Sequence, residues 1–198
     1  MDTADNLRVN VNPSLFAPSL RDATDIGPLY REAVTNGFPV ITTDHAFIHE
    51  GIAYTLSGTA TVSGSWSLSF TTPATGYIHF KPAGISAAGG PVVVTLLEGP
   101  TFTGGSDATP RNRNRVISSP DSSTVACKTG VTPSGGTVIN TLFIPGATSG
   151  SQKVGASTEA AEELVLDQAT VYVLTLTETA TGDVVCGYDL FWYEEEGA

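Results

Sequence analysis

From about residue 39 onward, large apolar side chains recur at every second position, and this period of two constrains the fold more than anything else in the chain. Trp66, Leu68 and Phe70 alternate with serines, and Ile78 and Phe80 resume the pattern beyond a turn over 73–76. A helix would scatter such residues around its circumference, whereas a β-strand gathers them on one face. The two runs therefore read as half-buried antiparallel strands, neighbours in one sheet. Val92, Val94 and Leu96 continue the series, with Val93 and Leu97 making that strand apolar on both faces and hence central or covered. Thr137 to Ile144 reads as another strand, closed by Pro145 and Gly146. The clearest hairpin pattern is the last, Thr170 to Glu178 and Val184 to Tyr193 around a turn over 179–183. Ile52 to Leu56, Thr59 to Ser63 and Ser123 to Lys128 complete about eight to ten strands, with turn signals spaced as in a two-sheet fold. The expectation is an all-β, jelly-roll-like antiparallel β-sandwich. The Gly- and Ser-rich connection over 146–160 reads as a surface loop, with a helical turn following over 158–164.

The stretch before this lacks the period. Leu7, Val9, Val11, Leu15, Phe16, Leu20, Ile26, Leu29 and Tyr30 are irregularly spaced, and Pro13, Pro18 and Pro28 interrupt any long helix. Such a segment cannot build its own core, yet it holds more large apolar residues than solvated disorder normally does. The chain thus divides into an extended N-terminal arm over 1–38 and a sandwich over 39–198. Leu7, Val9, Val11, Leu15, Phe16, Leu20, Leu29 and Tyr30 are expected to lie on a neighbouring subunit or across the arm's own domain.

The formal net charge is −11, which speaks against nucleic acid as a direct partner, because neutralising phosphates needs a surplus of Lys and Arg. Nothing near Met1 resembles a secretory signal, so folding in a cytosol is expected, and no apolar run approaches the length of a membrane span. Two cysteines occur, Cys127 and Cys186, read as free, half-buried thiols.

Motifs for chemistry are scarce. The densest polar cluster, T-T-D-H-A-F-I-H-E-G over 42–51, holds Asp44, His45, His49 and Glu50, but lacks the H-E-x-x-H pattern of a zinc helix. It reads as a polar approach to a strand. His79 lies between Ile78 and Phe80 and so points away from their face, toward solvent or an interface. No serine sits in a G-x-S-x-G elbow, and the Gly-Gly pairs at 89–90, 104–105 and 135–136 precede no Lys and helix, which makes them turns rather than phosphate cradles. No enzyme, metal or cofactor is expected.

One run stands apart. Arg111, Arg113 and Arg115, in R-N-R-N-R, are three of the nine basic residues, and on an extended strand all three project to one side. Such a stripe wants carboxylates, supplied by an intrachain network, by solvent screening, or by an acidic patch on another subunit.

The combination of D-H-x-F-I-H-E-G-x-x-Y at 44–54, Y-I-H-F-K-P at 77–82, V-T-L-L-E-G at 94–99, N-R-N-R at 112–115 and L-F-W-Y-E-E at 190–195 resembles the capsid decoration, or cement, proteins of tailed bacteriophages. The resemblance covers about residues 44–195 and leaves the arm outside. It implies a jelly-roll subunit, commonly a homotrimer, made in the host cytoplasm and seated on the outer capsid surface of the virion. There it would hold neighbouring copies of the major capsid protein together without a chemical step, cofactor, nucleic acid or membrane. The alternative is a glycan-binding attachment module of the virion using Trp66, Tyr77, Trp192 and Tyr193 as a stacking platform. Against it, Trp66 and Trp192 fall in alternating apolar registers, where core packing is the simpler role.

Overall fold

Alternation on this scale yields two stacked sheets. The computed structural model describes residues 43–116, 121–146, 155–156, 163–179 and 182–195. The arm over 1–38, with Leu7, Val9, Val11, Leu15, Phe16, Leu20, Leu29 and Tyr30, lies outside the described residues, as do most of the connection over 146–160 and most of the helical turn expected over 158–164. The elements are α1 Thr43–Glu50, β1 Ala53–Val62, β2 Ser65–Thr71, β3 Tyr77–Ala88, β4 Val92–Glu98, β5 Thr101–Ala108, β6 Arg111–Asn112, β7 Ala126–Ser134, β8 Thr137–Ile144, β9 Gly155–Ala156, β10 Leu164–Leu166, β11 Val171–Glu178 and β12 Val184–Glu195. Sheet A runs β10-β3-β12-β1-β6, with β9 also on β3, and sheet B runs β5-β7-β2-β11-β4-β8. The chain is an all-β antiparallel sandwich.

The core lies between the sheets. Tyr54, Leu56, Phe80, Leu190 and Trp192 from sheet A meet Leu68, Phe70, Leu96, Tyr172 and Leu174 from sheet B, all buried. Phe70 stacks on Phe80 with centroids 4.9 Å apart and on Tyr172 at 5.6 Å. Each such side chain contributes about 1.5–3 kcal/mol through removal from water. The Tyr172 hydroxyl in this core donates to Glu98 at 2.9 Å and accepts from the Asp167 N–H at 2.9 Å. Among the described residues no helix is long and apolar enough to cross a membrane.

Three expectations from pattern are corrected. The runs of β2 and β3 are not neighbours in one sheet, since β2 belongs to sheet B and β3 to sheet A, and their aromatics face each other across the core. The terminal pair is likewise no hairpin: β11 pairs β2 and β4, whereas β12 pairs β1 and β3. After β2 the five-residue turn over 72–76 carries the chain over the sandwich edge rather than back along its neighbour. Lastly, the polar cluster before Gly51 is a helix rather than the approach to a strand. Gly51, at φ +80, ends it, with the Gly51 N–H donating to Ile48 O and the Ile52 N–H to Phe47 O, both at 3.2 Å. This is the paired hydrogen bonding of a Schellman cap, which needs a left-handed residue after the helix.

Candidate functional site

The R-N-R-N-R run leaves the β5–β7 region along the outer edge of sheet A. Only Arg111 and Asn112 are in strand conformation, paired to Thr55 and Tyr54 of β1. The two asparagines fasten the rest. Asn112, buried, donates its side-chain amide to Gly51 O and accepts from the Asn114 N–H at 2.8 Å. Asn114 donates to His49 O at 3.1 Å and accepts from the Val116 N–H at 3.1 Å. Asparagines inward and arginines outward is therefore the expected alternation, held by side-chain turns rather than by a long strand.

Arg111, Arg113 and Arg115 are all exposed, and among the described residues none forms an ion pair. Arg113 instead lies over the Phe191 ring, 4.4 Å from its centroid, a cation–π contact that orients the guanidinium while leaving its N–H edge open.

Sheet register builds the floor beneath. One row across sheet A reads Arg111, Thr55, Phe191, Lys81, and the next reads Ala53, Tyr193, His79, Val165. Phe47 and Ile48 of α1 pack onto Ala53, Phe191 and Tyr193 as a second small apolar cluster on the sheet's outer face. Tyr193 stacks on Phe47 at 4.1 Å and on His79 at 4.4 Å. The Tyr193 hydroxyl donates to Glu163 at 2.5 Å, Lys81 Nζ reaches the other Glu163 oxygen at 3.0 Å, and His79 Nδ1 lies 2.6 Å from the first. Burial alone would push the Glu163 carboxyl up, but the hydrogen bonds from Tyr193, His79 and Lys81, with the lysine charge, outweigh it and hold the group down at about 2. A carboxylate so occupied is a tie between strands, not a poised acid or base.

His79 thus stands on the outer face as its parity implies, but half-buried and engaged. Lys81, Glu163 and Phe191 were not singled out from sequence; the spacing of His79 to Lys81 and of Phe191 to Tyr193, two residues each on the outward parity, is the signal that could have found all but Glu163.

The other candidates resolve simply. His45 and His49 sit one turn apart on α1 with their Nε2 atoms 2.9 Å apart, a hydrogen-bonded pair, and among the described residues no group of three metal-ligating side chains converges. Cys127 and Cys186 are free and buried; burial first, then Glu194, pushes the Cys127 thiol up to about 12, which leaves no thiolate to react at neutral pH. An open groove of about 660 Å³ runs past Tyr54, Ile78, Asp121 and Glu194, but Glu194 is spent on Ser123, Thr124 and Trp192 and so anchors the loop beside it. Of the four aromatics of a stacking platform, Trp192 is in the core, Trp66 packs half-buried against it, Tyr193 lies under α1, and only Tyr77 is exposed.

The arginine face is exposed and stands beside the Phe47, Phe191 and Tyr193 cluster. No protein-family model, curated protein or solved structure matches the chain.

Proposed function

We propose that this protein is a non-enzymatic virion structural protein that binds the outer surface of a tailed-phage capsid and stabilises contacts between major capsid proteins. The observation that carries this reading is the trio Arg111, Arg113 and Arg115, exposed and, among the described residues, without ion pairs on a chain of net charge −11. An acidic protein that presents three exposed guanidinium forks on one edge is suited to an acidic protein surface, and poorly suited to packaged DNA. Binding only the assembled lattice stabilises that lattice by mass action, and a homotrimer multiplies the effect through effective concentration.

Strand order supports the finer jelly-roll reading. Leaving aside β5, β6, β7 and β9, the chain places β1, β3, β10 and β12 in one sheet and β2, β4, β8 and β11 in the other. In each sheet the late strand sits between two early ones, β12 between β1 and β3, and β11 between β2 and β4. That interleaving is what two nested Greek keys produce.

The test is binding of the Arg111→Ala, Arg113→Ala, Arg115→Ala triple variant to undecorated heads. Each lost charge-assisted hydrogen bond costs about 1.5–3 kcal/mol. Affinity is therefore expected to fall by roughly tenfold or more, with circular dichroism and thermal midpoint little changed. Unaltered occupancy would reduce the stripe to a solvated edge and remove the main support for the capsid reading. Light scattering on the full chain reads the threefold state directly.

A further inference from the structure

Sheet B ends differently on its two sides. On one side β5 is kinked by Gly104 and Gly105, at φ +71 and +86, and carries Asp107. Those are the usual devices that stop a sheet edge from recruiting another strand. On the other side β8, T-V-I-N-T-L-F-I, pairs with β4 along one edge and with nothing described along the other. It holds no charge and no proline, and its single irregularity is the register shift opposite Leu96 and Leu97. Val138, Ile139 and Phe143 are 54%, 40% and 57% exposed. In sheet A, β9 and β10 are short, and β6 covers only Tyr54 and Thr55 of β1, so among the described residues β1 is also open over 56–62, but the exposed residues there, Ser57, Thr59 and Thr61, are polar. Among the described residues β8 is therefore the long, uncharged edge that exposes large apolar side chains, with one bulge at Ile139.

Charge selects what can occupy it. The outward positions beside β8, among them Val93, Thr95 and Leu97 of β4, are also uncharged. A basic or acidic peptide finds no counter-charge there. Two copies of a chain of net charge −11 repel over most of their surface, and an edge without charge is where that repulsion is least and where each copy offers the other a matching row of N–H and C=O groups.

We propose that β8 pairs antiparallel with β8 of a second copy about a twofold axis near Thr141, joining two copies of sheet B into one continuous sheet. The interface is isologous, so each contact occurs twice. With the axis at Thr141, residues Asn140, Thr141 and Leu142 pair on the regular part of β8, and Phe143 of each copy reaches the bulged Ile139 of the other. The contact does not depend on the capsid reading, and threefold assembly would use other surfaces.

The experiment compares full-length wild type with Thr141→Lys, by light scattering over a range of concentration and by amide hydrogen exchange. Thr141 is exposed, so the lysine is tolerated within the subunit but sets two ammonium groups against each other at the axis. Wild type is expected to reach twice the 20.5 kDa chain mass, or another even multiple. Its β8 amides should exchange at least tenfold more slowly than those of Thr141→Lys, while the β11 amides remain equally slow in both. A mass of one or three protomers throughout, or β8 exchange equal in the two proteins, overturns the pairing. The three-protomer result would leave the capsid reading standing. Should Thr141→Lys fail to fold, wild type decides alone: β8 amides exchanging as fast as the free-edge amides of β5 overturn the proposal, and protection at β8 but not at β5 upholds it.

Discussion

Glu163 shows how much one residue can hold. Its carboxylate gathers His79 and Lys81 of β3 and Tyr193 of β12, and so ties the chain leading into β10 to the two strands beneath it. The group titrates lower folded than unfolded, about 2 against an ordinary 4.5. Its stabilising contribution is therefore complete above about pH 4.5 and drains away as pH falls toward 2. The Glu163→Gln variant is expected to lose that part of the acid dependence: its thermal midpoint should sit below wild type at pH 7, with the gap closing between pH 4.5 and 2. A gap that stays constant across that interval would remove the carboxylate from the account. The outward aim of His79 is legible from the parity of Ile78 and Phe80. Its partner is not, because Glu163 lies 84 residues away and no local pattern announces a contact over such a distance.

At the level of elements, strand existence was legible and strand partnership was not. Alternation tells which side of a strand is apolar, yet β2 and β3 have the same inward aromatics whether they share a sheet or face one another. A five-residue turn permits both courses, and only the packing of Phe70 against Phe80 decides between them. The two short runs read over 52–56 and 59–63 are one strand, β1, because Gly58 is accommodated in the ladder opposite Tyr188 instead of breaking it. Helix α1, eight residues long, is too short for a helical period to declare itself; Gly51 was its one sign. The Gly51→Ala variant puts a Cβ on a left-handed residue, at about 1–2 kcal/mol. The expected result is a loss of that order in urea unfolding, with faster exchange in α1 and a changed near-ultraviolet signal from Tyr193 as Phe47 loosens. Stability unchanged from wild type would show the cap to be dispensable.

For the whole molecule, the all-β sandwich follows from the sequence because its cause, alternation, is written into every long strand. The arginine stripe is legible for the same reason, while the aromatic floor beneath it depends on strands distant in the chain. The described core clusters begin no earlier than Phe47, so deletion of Met1–Phe38 removes none of their residues. That truncation is expected to keep the cooperative unfolding of the sandwich and to weaken particle binding; full occupancy after it would take the arm out of the capsid contact. The pairing of Ala53 with Tyr193 has a further consequence, for how the protein is made. Strand β1 finds its long partner only in β12, and β2, which meets β7 over Leu68 to Thr71, finds its longer partner in β11. At about 5–20 residues per second, β1 leaves the ribosome roughly 7–27 s before β12 exists. Sheet A cannot close in that interval, because β12 lies between β1 and β3. A truncated message would yield not a smaller sandwich but an open ladder with its aromatics in water.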